Sequence, residues 1–200
     1  MECLSALAVQ GDSVVASRAL VALSRLCKLP EAAAAMSEAR THRLFLDVFG
    51  AALGLDAARA AEAGERWQSN DGAEARQAAE ACIRGLALLE SIADGVGDDL
   101  VEAGAVRALS AALAGPKLSD AAAGNASLLL GALSARRGGV DALRAADAVA
   151  ALVQAMVQRE GAVRKNAAVA CARAVQRDER LRERLRELNG VEIMFRYVKP

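Results

Sequence analysis

The sequence predicts an all-α fold made of about four helical repeats, some of them incomplete, and three observations carry that prediction. The first is composition: of 200 residues, 54% are hydrophobic but only 2% are aromatic. A core filled by Ala, Leu and Val suits closely spaced helices, whereas strands favour aromatic and β-branched side chains. The second is a period of 41 residues: GNASLLLGALS (Gly124 to Ser134) realigns on KNAAVACARAV (Lys165 to Val175), setting Asn125 on Asn166 and Leu128 on Val169. One period earlier RGLALLESIA (Arg84 to Ala93) falls into the same frame. The third is an independent anchor in VEAGAVRAL, LRAADAVAAL and RELNGVEIM, which bring Val106, Val149 and Val191 into register at spacings of 43 and 42.

Taken in chain order, MECLSALAVQGD reads as the tail of a middle helix, and SRALVALSRL (Ser17 to Leu26) as a fourth copy of the first anchor. Lys28-Leu29-Pro30-Glu31 breaks that helix and starts the next. Leu26 stands 66 residues before Ile92 instead of 41, so an insertion of about 25 residues lies between them. Its place is 54–77, where GLDAARAAEAGERWQSNDGAEARQ holds the sole Trp in a polar turn. Trp67 is a candidate loop anchor, either pinning its loop by burial or holding a partner by exposure. ADGVGDDL reads as an inter-helix turn, and GPKLSD (Gly115 to Asp120) as another that offers Ser119 or Asp120 as an N-cap. In RDERLRERLREL, Leu181, Leu185 and Leu188 share one face, and Glu179 with Arg182 and Glu183 with Arg186 are spaced for ion pairs. Both chain ends are apolar, which points to flanking repeats or self-association there. The whole of 1–200 is expected to form one domain.

Charge and motif content exclude several functions. Acidic and basic residues balance at 25 each, so no net field favours nucleic acid or an anionic membrane. No stretch approaches the roughly 18 apolar residues of a membrane helix. Cys3, Cys27, Cys82 and Cys171 lie far apart without a CxxC pair and read as reduced, buried thiols, which favours a cytoplasmic setting. A single histidine, His42, allows no His-based metal cluster and reads as a surface or capping residue. Carboxylates such as Asp98 and Asp99 lack an apolar pocket that would raise a pKa, and no phosphate loop is present. The expectation is a protein with no enzymatic activity, no metal and no cofactor.

VEAGAVRALSAAL resembles the armadillo consensus, in which an acidic-Ala-Gly turn leads into a helix. The resemblance covers nearly the whole chain outside the insertion; HEAT and other helical solenoids share a similar period. It implies a right-handed α-α superhelix whose repeats hold a short first, a middle second and a longer third helix, with third helices lining a groove. Such a repeat cannot bury its apolar face alone, so stacked repeats share a core and leave a long surface for a partner protein. Candidate contacts on the third helices form two ladders, Arg18, Arg84, Asn125, Asn166 and Arg25, Ser91, Ala132, Arg173. Their guanidinium and amide groups suit carbonyls or carboxylates of a partner. Import receptors of this family carry a Trp and, four residues on, an Asn; the matching places here hold Val21 and Arg25, Ala87 and Ser91, Leu128 and Ala132, Val169 and Arg173. A nuclear-localisation peptide is therefore expected not to bind. LRELNGVEIMFRYV is slightly similar to the end of proteins that join tetratricopeptide to armadillo repeats, co-chaperones and assembly factors, which implies a client surface.

Overall fold

The computed structural model describes residues 2–55, 67 and 72–197. Among them the chain is all-helical, with thirteen helices and no strand. It divides into two compact units, 1–96 and 97–200.

The first unit holds α1 (Glu2–Gln10), α2 (Ser13–Leu26), α3 (Pro30–Glu38), α4 (Thr41–Leu53) and α5 (Ala73–Ile92). Helix starts follow local chemistry. Asp12 accepts the Val15 amide at 2.9 Å and so satisfies one of the free donors at the start of α2. Pro30 supplies the fixed φ that opens α3. Helix α2 packs on α1 and α5, and α5 also packs on α4. Leu20, Leu23, Met36, Phe45, Phe49, Ile83, Leu86 and Leu89 are fully buried there. Phe45 lies over Gly85, where an added Cβ would stand 2.7 Å from Phe45 Cζ, so the ring fills the space that glycine leaves.

The second unit runs α6 (Val96–Glu102), α7 (Ala105–Ala114), α8 (Asp120–Leu133), α9 (Gly139–Ala145), α10 (Ala148–Gln158), α11 (Gly161–Val175), α12 (Glu179–Glu187) and α13 (Gly190–Tyr197). Short, middle and long helices recur twice, followed by two more helices of nine and eight described residues. Helices one period apart pack on each other: α7 on α10, α8 on α11, and α10 on α13. The predicted anchor recurs as backbone geometry, because the residue before each middle helix is left-handed: Gly104 (φ 82°), Asp147 (φ 46°) and Asn189 (φ 52°). Glycine adopts that conformation freely, and Asp and Asn tolerate it through short polar side chains. Arg40 (φ 53°) holds the same place before α4.

Several local expectations are met. Ser119 caps α8 by accepting the Ala122 amide at 3.3 Å. Arg182 pairs with Glu179, and Arg186 with Glu183 at 2.8 Å. Leu181 and Leu185 are buried on the opposite face of α12, with Leu188 half-buried.

Other expectations need correction. His42 is buried, not at the surface, because its position in the first turn of α4 turns inward beside Thr41. Cys3 is exposed, since α1 buries Ala8 alone, while Cys27, Cys82 and Cys171 are buried free thiols. Burial disfavours the thiolate, pushing Cys27 up to about 11 and Cys171 to about 12. Only the start of ADGVGDDL is a turn; its last five residues open α6. The last five residues of the expected insertion, Ala73 to Gln77, form the first turn and more of α5, which has 20 residues against 14 in α8 and 15 in α11, as a partly helical insertion allows. Most of the remaining 54–77 segment, 56–66 and 68–71, lies outside the described residues. No helix among the described residues is long and apolar enough to cross a membrane.

Candidate protein-binding faces

Long helices position the candidate residues, two in each unit. In the first unit, α2 buries Ala16, Ser17, Ala19, Leu20, Leu23 and Ser24, and α5 buries a matching stripe that includes Cys82, Ile83 and Leu86. Arg18 and Arg25 therefore stand on the open face of α2, both exposed. Arg84 is half-buried on α5, and Ser91 is exposed with its hydroxyl donating to the Leu88 carbonyl at 2.8 Å. The Ser17 hydroxyl lies 3.4 Å from Gln77 Oε1 and links the two helices. Trp67 is buried, at 6% exposure, while the segments on either side of it lie outside the described residues.

The second unit pairs α8 with α11 through small residues. A Cβ at Gly131 would stand 2.9 Å from Ala170 Cα, so the two backbones approach closely. Asn125 and Asn166 are half-buried, Ala132 is half-buried, and Arg173 is exposed. Asn166 spends a donor inward, its Nδ2 bonding the Gly124 carbonyl at 3.3 Å, so it ties one repeat to the next. Asn125 makes no such bond among the described residues. Leu128 and Val169, which the two ladders do not include, leave 38% and 45% of their surface open at equivalent positions. Their sequence signals are that the alignment sets one on the other and that they stand where import receptors carry a Trp.

Further bonds at about one period link successive repeats of this unit. Gln154 Nε2 donates to the Ala114 carbonyl at 3.3 Å, and Arg159 pairs with Asp120 at 2.8 Å. These two bonds cross a polar cleft bordered by Gly115, Pro116, Gln158 and Glu160. Arg137 pairs with Glu102 at 2.6 Å while its amide donates to Asp98 at 3.0 Å, so those acids are structural partners. Arg184 grips Asp147 with both prongs, at 3.0 and 2.7 Å. That two-pronged bond holds the Asp147 carboxyl below its ordinary pKa and raises that of Arg184. A carboxyl depressed in the folded state contributes stability above its unfolded pKa of about 3.9, and loses it as pH falls through the folded value. Asp147→Asn keeps a residue that tolerates the left-handed turn. Thermal melts should show it lower in Tm at pH 7 by no more than about 3 °C, with the gap narrowing as pH falls below about 3.9.

No group of three or more His, Cys, Asp or Glu placed to hold a metal occurs among the described residues. On α12, Arg182, Arg184 and Arg186 are paired and Arg180 is not; on the long helices Arg18, Arg25, Arg84 and Arg173 have no ion pair among the described residues.

Searches for relatives define a fold class and nothing narrower. No protein family and no curated protein matches the sequence. Among solved structures, the crystal structure of an engineered protein from a structural genomics consortium aligns over 96% of this chain and 69% of its own, with 20% identity and a TM-score of 0.73. A likeness at that identity speaks for the fold alone: an all-helical chain with packing between neighbouring helices.

Proposed function

We propose that this chain is an armadillo-type repeat protein, a right-handed α-α superhelix in which 1–200 act as one domain, and that it holds a partner protein on its third helices. The reading is supported by the recurring short, middle and long helices and by packing at one period. The observation that carries it is the open face of the long helices. There Leu128 and Val169 remain exposed, and Arg18, Arg25, Arg84 and Arg173 have no acid partner among the described residues. An apolar side chain and unpaired guanidiniums on one helix face offer a partner both burial and charged hydrogen bonds. On this reading the chain is a non-enzymatic scaffold, cytoplasmic, with no cofactor and no affinity for nucleic acid or membrane. Alanine at Arg25, Arg84 and Arg173 tests it. A partner captured by the wild-type chain should be lost, or its retention cut at least about tenfold, in the triple variant. Undiminished capture with an unchanged circular-dichroism spectrum sinks the groove reading.

One observation favours a second reading, a structural or assembly segment that docks through its ends: Phe195 on α13 is 71% exposed beside exposed Val191. Light scattering separates the two, since a mass that rises with concentration and falls on Phe195→Ser supports end docking.

A further inference from the structure

The α2 face of the first unit is more specific than the groove reading requires, and the inference drawn from it rests on that reading. Arg18, Val21 and Arg25 follow at spacings of three and four, so they form one stripe on α2, with Val14 continuing it one turn earlier. Both arginines are exposed and both valines half-buried. Helix α2, SVVASRALVALSRL, contains no acidic residue. Asp12, just before it, has an oxygen committed to the Val15 amide. On the adjoining α5, Glu90 is buried, Glu74 and Glu80 are half-buried, and Arg84 forms no ion pair among the described residues. Among the described residues this surface is thus cationic, in a chain whose net charge is zero.

We infer that this stripe binds an extended acidic peptide, with carboxylates three residues apart flanking an apolar side chain. The spacing decides the match. Seven residues of helix set Arg18 and Arg25 about 10 Å apart. Three residues of polyproline-type chain advance about 9 Å and return the side chain to the same face. Carboxylates at positions i and i+3 therefore meet the two guanidiniums together, and an apolar residue between them projects from an adjacent edge of the threefold helix, toward the Val21 side of the stripe. Each guanidinium offers paired donors that match a carboxylate, which a neutral amide answers less well. Arg84, on the helix packed beside α2, extends the cationic surface to one side.

The test uses fluorescein-labelled Glu-Pro-Leu-Glu-Pro-Leu-Glu, the same peptide with Gln for Glu, and a single-stranded oligodeoxynucleotide of similar charge, each titrated with the whole chain by anisotropy. The acidic peptide should bind at least tenfold more tightly than the Gln peptide and weaken several-fold between 50 and 300 mM salt. The Arg18→Gln/Arg25→Gln variant, exposed at both positions and so expected to keep its melting temperature, should lose at least tenfold. Arg173→Gln, in the second unit, should change little. Equal binding of the two peptides, undiminished binding by the double variant, or tighter binding of the oligonucleotide overturns the inference. Should it fail while the triple alanine variant still loses its captured partner, the groove reading stands with a partner that is not acidic. Should both fail, both are wrong.

Discussion

Phe45→Ala should lower the unfolding free energy of the first unit by about 3–5 kcal/mol, the cost of removing a large buried ring and leaving its volume empty. Phe45 is fully buried where α4 meets α5, and the ring occupies the space directly over Gly85. The facing residue, Gly85, has no side chain to move into that space, and the neighbouring buried Phe49 is held on α4 by its own packing. Phe45→Leu keeps most of the volume and should cost less than about 2 kcal/mol. Guanidinium denaturation followed by circular dichroism measures both. An alanine variant within about 1 kcal/mol of the wild type would show that the ring does not carry this packing.

How much of this was legible in the residues depends on the kind of signal. Helix ends were readable where one residue dictates them: Pro30 opens α3, Ser119 caps α8, and the turn before each middle helix takes a left-handed residue. The period was readable because Asn125 with Asn166 and Val106 with Val149 recur at nearly constant spacing. Burial depth was harder. His42 is polar and near a helix start, which favours the surface, yet the helix phase set by Phe45 and Phe49 turns it inward. Cys3 has the hydropathy of a core residue but sits on a helix with one buried position. The extra turns of α5 could not be separated from the insertion, because Ala-rich sequence reads as helix on either side of the boundary.

The candidate faces divide in the same way. Arg18, Arg25 and Arg173 were readable as open positions because charge resists burial. The inward bond of Asn166 was not, since it depends on the bare carbonyl of Gly124 in the preceding repeat. Leu128 and Val169 were recognisable as equivalent, but their exposure follows from which face the neighbouring helices leave uncovered. Periodicity finds the stripe, and tertiary packing decides which side of it meets water.

The α8 and α11 pairing gives the second large effect. Gly131→Leu should destabilise the second unit by about 3 kcal/mol, at the upper end of the usual overpacking cost. A Cβ at Gly131 would lie 2.9 Å from Ala170 Cα and 3.0 Å from Ala170 Cβ, so the obstacle is backbone and cannot swing aside like a long side chain. Relief requires α8 and α11 to separate. That movement would also lengthen the 3.3 Å bond from Asn166 to the Gly124 carbonyl and widen the distance between Leu128 and Val169. Leucine is the better helix former by somewhat under 1 kcal/mol, which offsets part of the loss without reversing it. Ala132→Leu, one residue on and half-buried, supplies the control, since it places the same side chain at a position already partly open to solvent; it should change stability by less than about 1 kcal/mol. Denaturation midpoints of the two variants, with hydrogen exchange over α8 and α11, decide the matter. Equal stability of Gly131→Leu and the wild type would mean that the two helices do not meet at this distance.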